Sequence, residues 1–290
     1  HRNFAVSTLS KGLPTLVEKP VALNLKDAMD IIDASNKNNV DLAISNVFLF
    51  SEGIKQFKEV ISTRDLPASI FLRWADATEK MGRFDSSVPV FQDVLPHVVG
   101  IIEYLFEETE WVFKGLDAAR GGQRTELKLQ CGGILIKVIL ERNAPKRERI
   151  LELTWLQGGK ATLNFCDEPS KITVGDDSLD QSIQPRFAKL SPLASMASSF
   201  LDSCGGRPFD QRLDAGGSIR SCKLAEAILP SYKDIRQHWL KSENLQENLI
   251  GFDEFLYSNV EAAQCRTRLG RDEILELLKT LTDKYSDPVV

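Results

Sequence analysis

Two short apolar runs near the start of the chain, Leu16-Val17 and Leu42-Ala43-Ile44, are separated by a segment with helical spacing. Two strands joined across a helix of that length cannot form a hairpin, so they pair in parallel through a βαβ crossover. Asn24 is placed to cap the intervening helix, whose apolar face is marked by Leu25, Ala28, Ile31 and Ile32 with Ser35. Upstream, His1 to Leu9 reads as a further helix closed by Gly12. In open parallel sheets ligands sit beyond the carboxyl ends of the strands. Here that position is held by Glu18-Lys19-Pro20.

From Glu110 to Val174 the pattern changes to strands: Trp111 to Phe113, Thr125 to Leu129, Ile134 to Leu140, Ile150 to Trp155 and Ala161 to Phe165. Several alternate apolar with polar across short intervals, as in an antiparallel meander packed on one face. The pairs Gly121-Gly122, Gly132-Gly133 and Gly158-Gly159 fall between these runs, as turns or bulges would. Lys146-Arg147-Glu148-Arg149 reads as a solvated hairpin tip. Before the meander lie a helix with Ile54, Phe57, Lys58 and Ile61 in register and a strand from Ser69 to Trp74. After it come helices over Leu193 to Leu201 and Ser218 to Leu229, divided by the turn Gly205-Gly206-Arg207-Pro208. Helical patterns resume at Gln237 to Asn259, with His238-Trp239 read as packing, and at Arg271 to Tyr285.

The fold class expected is α/β plus α+β: a parallel sheet, which a family resemblance of its motifs implies is the C-terminal part of a Rossmann-like one, then a large, mostly antiparallel open sheet with helices on one face. Residues 1–47 would form the first unit, 48–230 the second and 231–290 a helical extension.

The histidines number three in 290 residues, and the net charge is −5. An acidic balance gives no footing for nucleic-acid binding. No apolar run reaches the roughly 20 residues that span a bilayer. Five scattered cysteines without paired spacing read as reduced thiols of a cytoplasmic protein, with no metal site.

Gln92-Asp93-Val94-Leu95-Pro96-His97 is the second informative stretch. Asp93 and His97 are four apart, so on a helix they share a face, where an aspartate could fix the imidazole's tautomer and raise its pKa. Pro96 is tolerable if it lies in the first helical turn.

The order of His1, Gly12, Glu18-Lys19-Pro20, a long helix and a strand, followed by Asp93 and His97, resembles the glucose–fructose oxidoreductase/inositol dehydrogenase (Gfo/Idh/MocA) family of NAD(P)-dependent oxidoreductases. The resemblance covers roughly residues 1 to 230. It implies a hydride exchanged between NAD or NADP and a hydroxyl or carbonyl carbon of a sugar or cyclic polyol. In that scheme Lys19 holds the reacting oxygen, and His97 gives or takes the proton with Asp93 behind it. Glu18, Lys19, Pro20, His1, Asn46 and Trp74 line the cofactor. The family also pairs subunits through the open sheet, which implies a homo-oligomer.

Departures from the family pattern are Phe48 where arginine is common, Ser86-Ser87-Val88 for a glycine run, Leu95 for glycine and Gly100 for an aspartate. Asn46 reads equally as a turn residue after a strand, and Trp74 as core. Relatives carry a Gly-x-Gly-x-x-Gly loop upstream of the Glu-Lys-Pro signature, and this chain has none. The expectation is that the loop lies upstream and that the chain as given binds NAD(P) poorly or not at all. A catalytically silent assembly or regulatory module, and a reductase of a non-sugar intermediate, are the alternative readings.

Overall fold

The computed structural model describes residues 1–77, 88–119, 124–176 and 179–241. Its first unit is α1 (Arg2–Leu9), β1 (Thr15–Val17), α2 (Leu25–Asn38) and β2 (Leu42–Ile44), with β1 and β2 parallel and Val17 opposite Ile44. The Asn24 side chain accepts the Asp27 N–H at 2.8 Å, closing the first turn of α2. Asn39 ends that helix in the left-handed region at φ 50°, with its N–H on the Ser35 and Asn36 carbonyls. Leu9, Val17, Ala28, Ile31 and Ile44 form a small core of their own.

A 3₁₀ turn (Val47–Phe50) leads to α3 (Glu52–Ile61), β3 (Ser69–Ala77) and α4 (Val90–Phe106). The strands β4 (Trp111–Ala119), β5 (Arg124–Cys131), β6 (Ile134–Ala144), β7 (Glu148–Thr154), β8 (Lys160–Asn164), β9 (Lys171–Asp176) and β10 (Leu179–Ile183) follow. With β3 they form one eight-stranded sheet in the order β10-β9-β8-β7-β3-β6-β5-β4. Only the β3–β6 pair is parallel among these, so the expected mostly antiparallel open sheet is present. One face is apolar and packs on the helices: Leu72, Leu127, Val138, Leu151 and Leu163 are all fully buried. The other carries ion pairs such as Lys137–Glu126 and Lys160–Glu152, each at 2.7 Å. Gly132, Gly158 and Gly159 stand at positive φ in the hairpins, as turn positions require; Gly121-Gly122 lies outside the described residues.

Phe57 fixes α3 against the sheet with no exposure. Truncating Phe57→Ala removes a buried ring, and we expect a loss of about 3–5 kcal/mol in a urea or thermal unfolding experiment.

α5 (Pro192–Cys204) and α6 (Gly216–Lys241) complete the fold. α6 joins the two units. Its Glu226 carboxylate accepts the first N–H of α2, from Leu25 at 2.7 Å, and Cys222 packs into the small core. Two expectations are corrected here. α6 does not stop at Leu229 but runs through Pro230 to Lys241. Pro96 lies inside α4 rather than in its first turn, because the helix opens earlier, at Val90 after Pro89. The i−4 hydrogen bond lost at each proline is outweighed by burial: Leu95, Val98, Val99, Ile101 and Ile102 are fully enclosed. The patterns at Ser242 to Asn259 and Arg271 to Tyr285 lie outside the described residues, as do Ser86 and Ser87; for His238 and Trp239 only the backbone is described.

Candidate functional site

β1 ends at Val17, so Glu18, Lys19 and Pro20 leave the sheet together where α2 has not yet begun. A cleft of about 560 Å³ opens there. Its walls include His1, Lys19, Pro20, Asn24, Asp93 and Arg142. The His1 ring nitrogen Nδ1 lies 3.0 Å from the Pro20 carbonyl oxygen, which ties α1 to the loop.

The Lys19 ammonium reaches across to α4. It donates to Asp93 Oδ1 at 3.0 Å and to the Asp93 carbonyl at 3.2 Å. An ammonium has three N–H donors; no described residue takes the third, and Lys19 lines the cleft. Arg142, from β6, donates to the other Asp93 oxygen at 3.0 Å and to the Val88 carbonyl at 2.8 Å. The Asp93 carboxylate therefore bridges two cations, one from each unit. Burial pushes its pKa up, but Lys19 and Arg142 outweigh burial and hold it below the usual carboxylate range. Asp93 is ionised and occupied.

That corrects the expected Asp93–His97 pair. The two residues do lie one turn apart on α4, but the carboxylate turns to Lys19 and Arg142 because charge-assisted bonds are stronger than a bond to a neutral ring. His97 is 7% exposed and stacks on Trp74 with ring centroids 5.1 Å apart and planes 8° from parallel. Phe48 meets it edge-on at 4.8 Å. Burial, then the positive charges of Lys19 and Arg149, push the His97 pKa well below 6.5. The expected upward shift is reversed, and the ring is neutral near pH 7.

Glu18 turns away from the cleft. Its carboxylate accepts from Ser45 Oγ at 2.9 Å and from the Lys19 N–H at 3.2 Å, so it braces the loop against the end of β2. Asn46 is buried and donates to the Arg212 carbonyl at 3.3 Å, while its own carbonyl starts the 3₁₀ turn. Trp74 is 2% exposed, within an aromatic cluster of Phe48, His97 and Phe165. Neither borders the cleft, and His97 does not line it either. Lys19, Asp93, His1 and Pro20 are thus brought together, with His97 behind them; Glu18, Asn46 and Trp74 act on the loop and the core. Arg142 is the residue that sequence reading missed. Its signal was Glu141-Arg142 directly after the apolar run of β6, a buried charge at a strand end.

No protein-family model matches the chain. An inositol 2-dehydrogenase of Klebsiella pneumoniae is 24% identical over 109 residues, 37% of this chain and 32% of that protein. An inositol 2-dehydrogenase of Serratia proteamaculans is 20% identical over the same shares. The match thus spans about a third of the length of these curated relatives. Among solved structures, the UDP-N-acetylglucosamine 3-dehydrogenase GnnA from Acidithiobacillus ferrooxidans superposes with a TM-score of 0.65 at 17% identity, covering 79% of this chain and 73% of that one. KijD10, a 3-ketoreductase from Actinomadura kijaniata in complex with NADP, gives 0.68 at 14% identity over 79% and 74%. This is the fold of the Gfo/Idh/MocA-type oxidoreductases. Within the Gfo/Idh/MocA-type fold, the cleft found here lies at the carboxyl end of a parallel strand, where such sheets receive ligands. Among the described residues no group of His, Cys, Asp and Glu could hold a metal, and no helix is long and apolar enough to cross a membrane.

Proposed function

We propose that this is an NAD(P)-dependent oxidoreductase acting on a hydroxyl or carbonyl carbon of a sugar or cyclic polyol. The observation that carries the reading is the third N–H of Lys19, unused by any described residue and facing a cleft at the end of a parallel strand. The inositol 2-dehydrogenases and sugar-nucleotide enzymes among the similar proteins support the substrate class. A bound nicotinamide would supply the hydride chemistry.

The chain's own residues do the rest. Lys19 donates to the reacting oxygen and stabilises the charge that develops there. Asp93, held ionised by Arg142, fixes the direction from which Lys19 approaches. His97 is neutral and takes the proton from a substrate hydroxyl during oxidation. His1 and Pro20 shape one wall of the cleft, and Glu18 braces their loop from behind. Lys19, His1 and Pro20 would hold the nicotinamide end of such a cofactor, since they line one cleft and the third Lys19 N–H is taken by no described residue.

In this reading residues 1–47 belong to the nucleotide-binding unit, 48–230 to the substrate unit and 231–290 to an extension. The protein works in the cytoplasm as a homo-oligomer paired through the ionic face of the sheet. The test is titration of the full-length gene product with NADH and NADPH by nicotinamide fluorescence, followed by turnover on inositol-type polyols and UDP-sugars. Saturable binding with turnover supports the proposal. Binding of neither nucleotide would leave the protein a silent assembly module.

A further inference from the structure

Behind the cleft, the wall against which His97 rests has an unusual construction. The Asp76 carboxylate accepts two donors, the Trp74 indole N–H at 3.1 Å and an Arg149 guanidinium N–H at 2.9 Å. The guanidinium carbon lies 4.4 Å from the centroid of the same indole and 5.0 Å from that of Phe48. Both rings also contact His97. Arg149 Nε is buried with no hydrogen bond to a described residue, so the side chain is held by the rings and Asp76 and not by a saturated set of bonds. Arginine prefers such stacked settings because its guanidinium is planar and weakly hydrated.

We propose that Arg149 is a positioning residue for His97: anchored by Asp76, it fixes the Trp74 and Phe48 surfaces that orient the imidazole and places a second positive charge, after Lys19, near the ring. The inference rests on His97 being the proton acceptor of the reaction. The charged groups around His97 come from every side. Lys19 approaches from the end of β1 and Arg149 from β7, while Asp76 on β3 is taken up by Arg149 and Asp93 on α4 by Lys19 and Arg142. No carboxylate hydrogen-bonds the imidazole among the described residues. Depression of the His97 pKa by burial, Lys19 and Arg149 agrees with this arrangement.

An NMR titration of the imidazole signals in the full chain, without nucleotide or substrate, tests it. Three histidines keep the spectrum simple, and a His97→Gln variant assigns the signal. Arg149→Met removes the charge and the stack, and should raise the His97 pKa by about one unit. Arg149→Gln keeps a donor for Asp76 and loses the charge; it should shift the pKa the same way and serves if Arg149→Met fails to fold. A titration within error of wild type in a folded variant overturns the proposal, whereas a merely structural role for Arg149 would lower stability and leave the His97 pKa in place. The oxidoreductase reading fails separately. If the pKa moves but the acid limb of the kcat/KM profile does not follow it, Arg149 positions His97 and His97 is not the proton acceptor.

Discussion

Replacing Lys19 with alanine should lower kcat by about a hundred- to a thousandfold, the cost of losing one preorganised donor to a developing oxyanion. Binding of NAD(P) should stay within a few-fold, because the ammonium is aimed at Asp93 and the open cleft from the end of the strand. Stability should change little. The Lys19 side chain is 20% exposed, and Asp93 keeps Arg142 as a partner after the substitution, so no buried carboxylate is left bare. The split decides the case. A drop in kcat with an unchanged nucleotide Kd assigns Lys19 to the reacting oxygen. Equal loss of both would make it a cofactor anchor, and no loss of either would remove it from the site. Lys19→Arg should not restore the rate, since the wider guanidinium cannot keep both the Asp93 bonds and the third donor in the same place.

Much of this arrangement could be read from residue order. Leu16-Val17 and Leu42 to Ile44 fall on β1 and β2 in parallel register, and Asn24 caps α2 through its side chain, because both features depend on local spacing. The alternation in β5 and β8 likewise placed the apolar face of the sheet. What sequence spacing could not supply was competition between distant partners. Asp93 and His97 share a helix face, but the carboxylate goes to cations 74 residues upstream and 49 downstream. Glu148 and Arg149 look like part of a charged hairpin tip, yet Glu148 bonds Arg73 and Arg149 is drawn in by Asp76 and two rings. Lys146, with its side chain 76% exposed, and Arg147 remain on the surface. Proline breaks these helices less than local propensity implies: at Pro96 and Pro230 the tertiary packing of α4 and α6 overrides one missing bond.

His97→Gln should slow oxidation by about a hundred- to ten-thousandfold, the range for losing a positioned general base. The glutamine keeps polarity and a similar volume but cannot take a proton. Wild-type kcat/KM for oxidation should lose activity only well below pH 6.5, because burial, Lys19 and Arg149 depress the folded pKa of the imidazole. The same shift has a consequence for stability. Below pH 6.5 the unfolded chain binds a proton at this histidine and the folded protein does not, so the folded state weakens as pH falls through that value. Asp93 acts later in the same direction: its pKa lies below 3.8 when folded, so its contribution, present above that pH, is lost as acid is added. Denaturant midpoints measured from pH 7.5 to 5 should therefore fall more steeply for wild type than for His97→Gln. Parallel curves would mean that the imidazole titrates in the folded protein as it does in the unfolded chain. The acid limb of kcat/KM would then lie near the ordinary imidazole value of about 6.5 and not well below it.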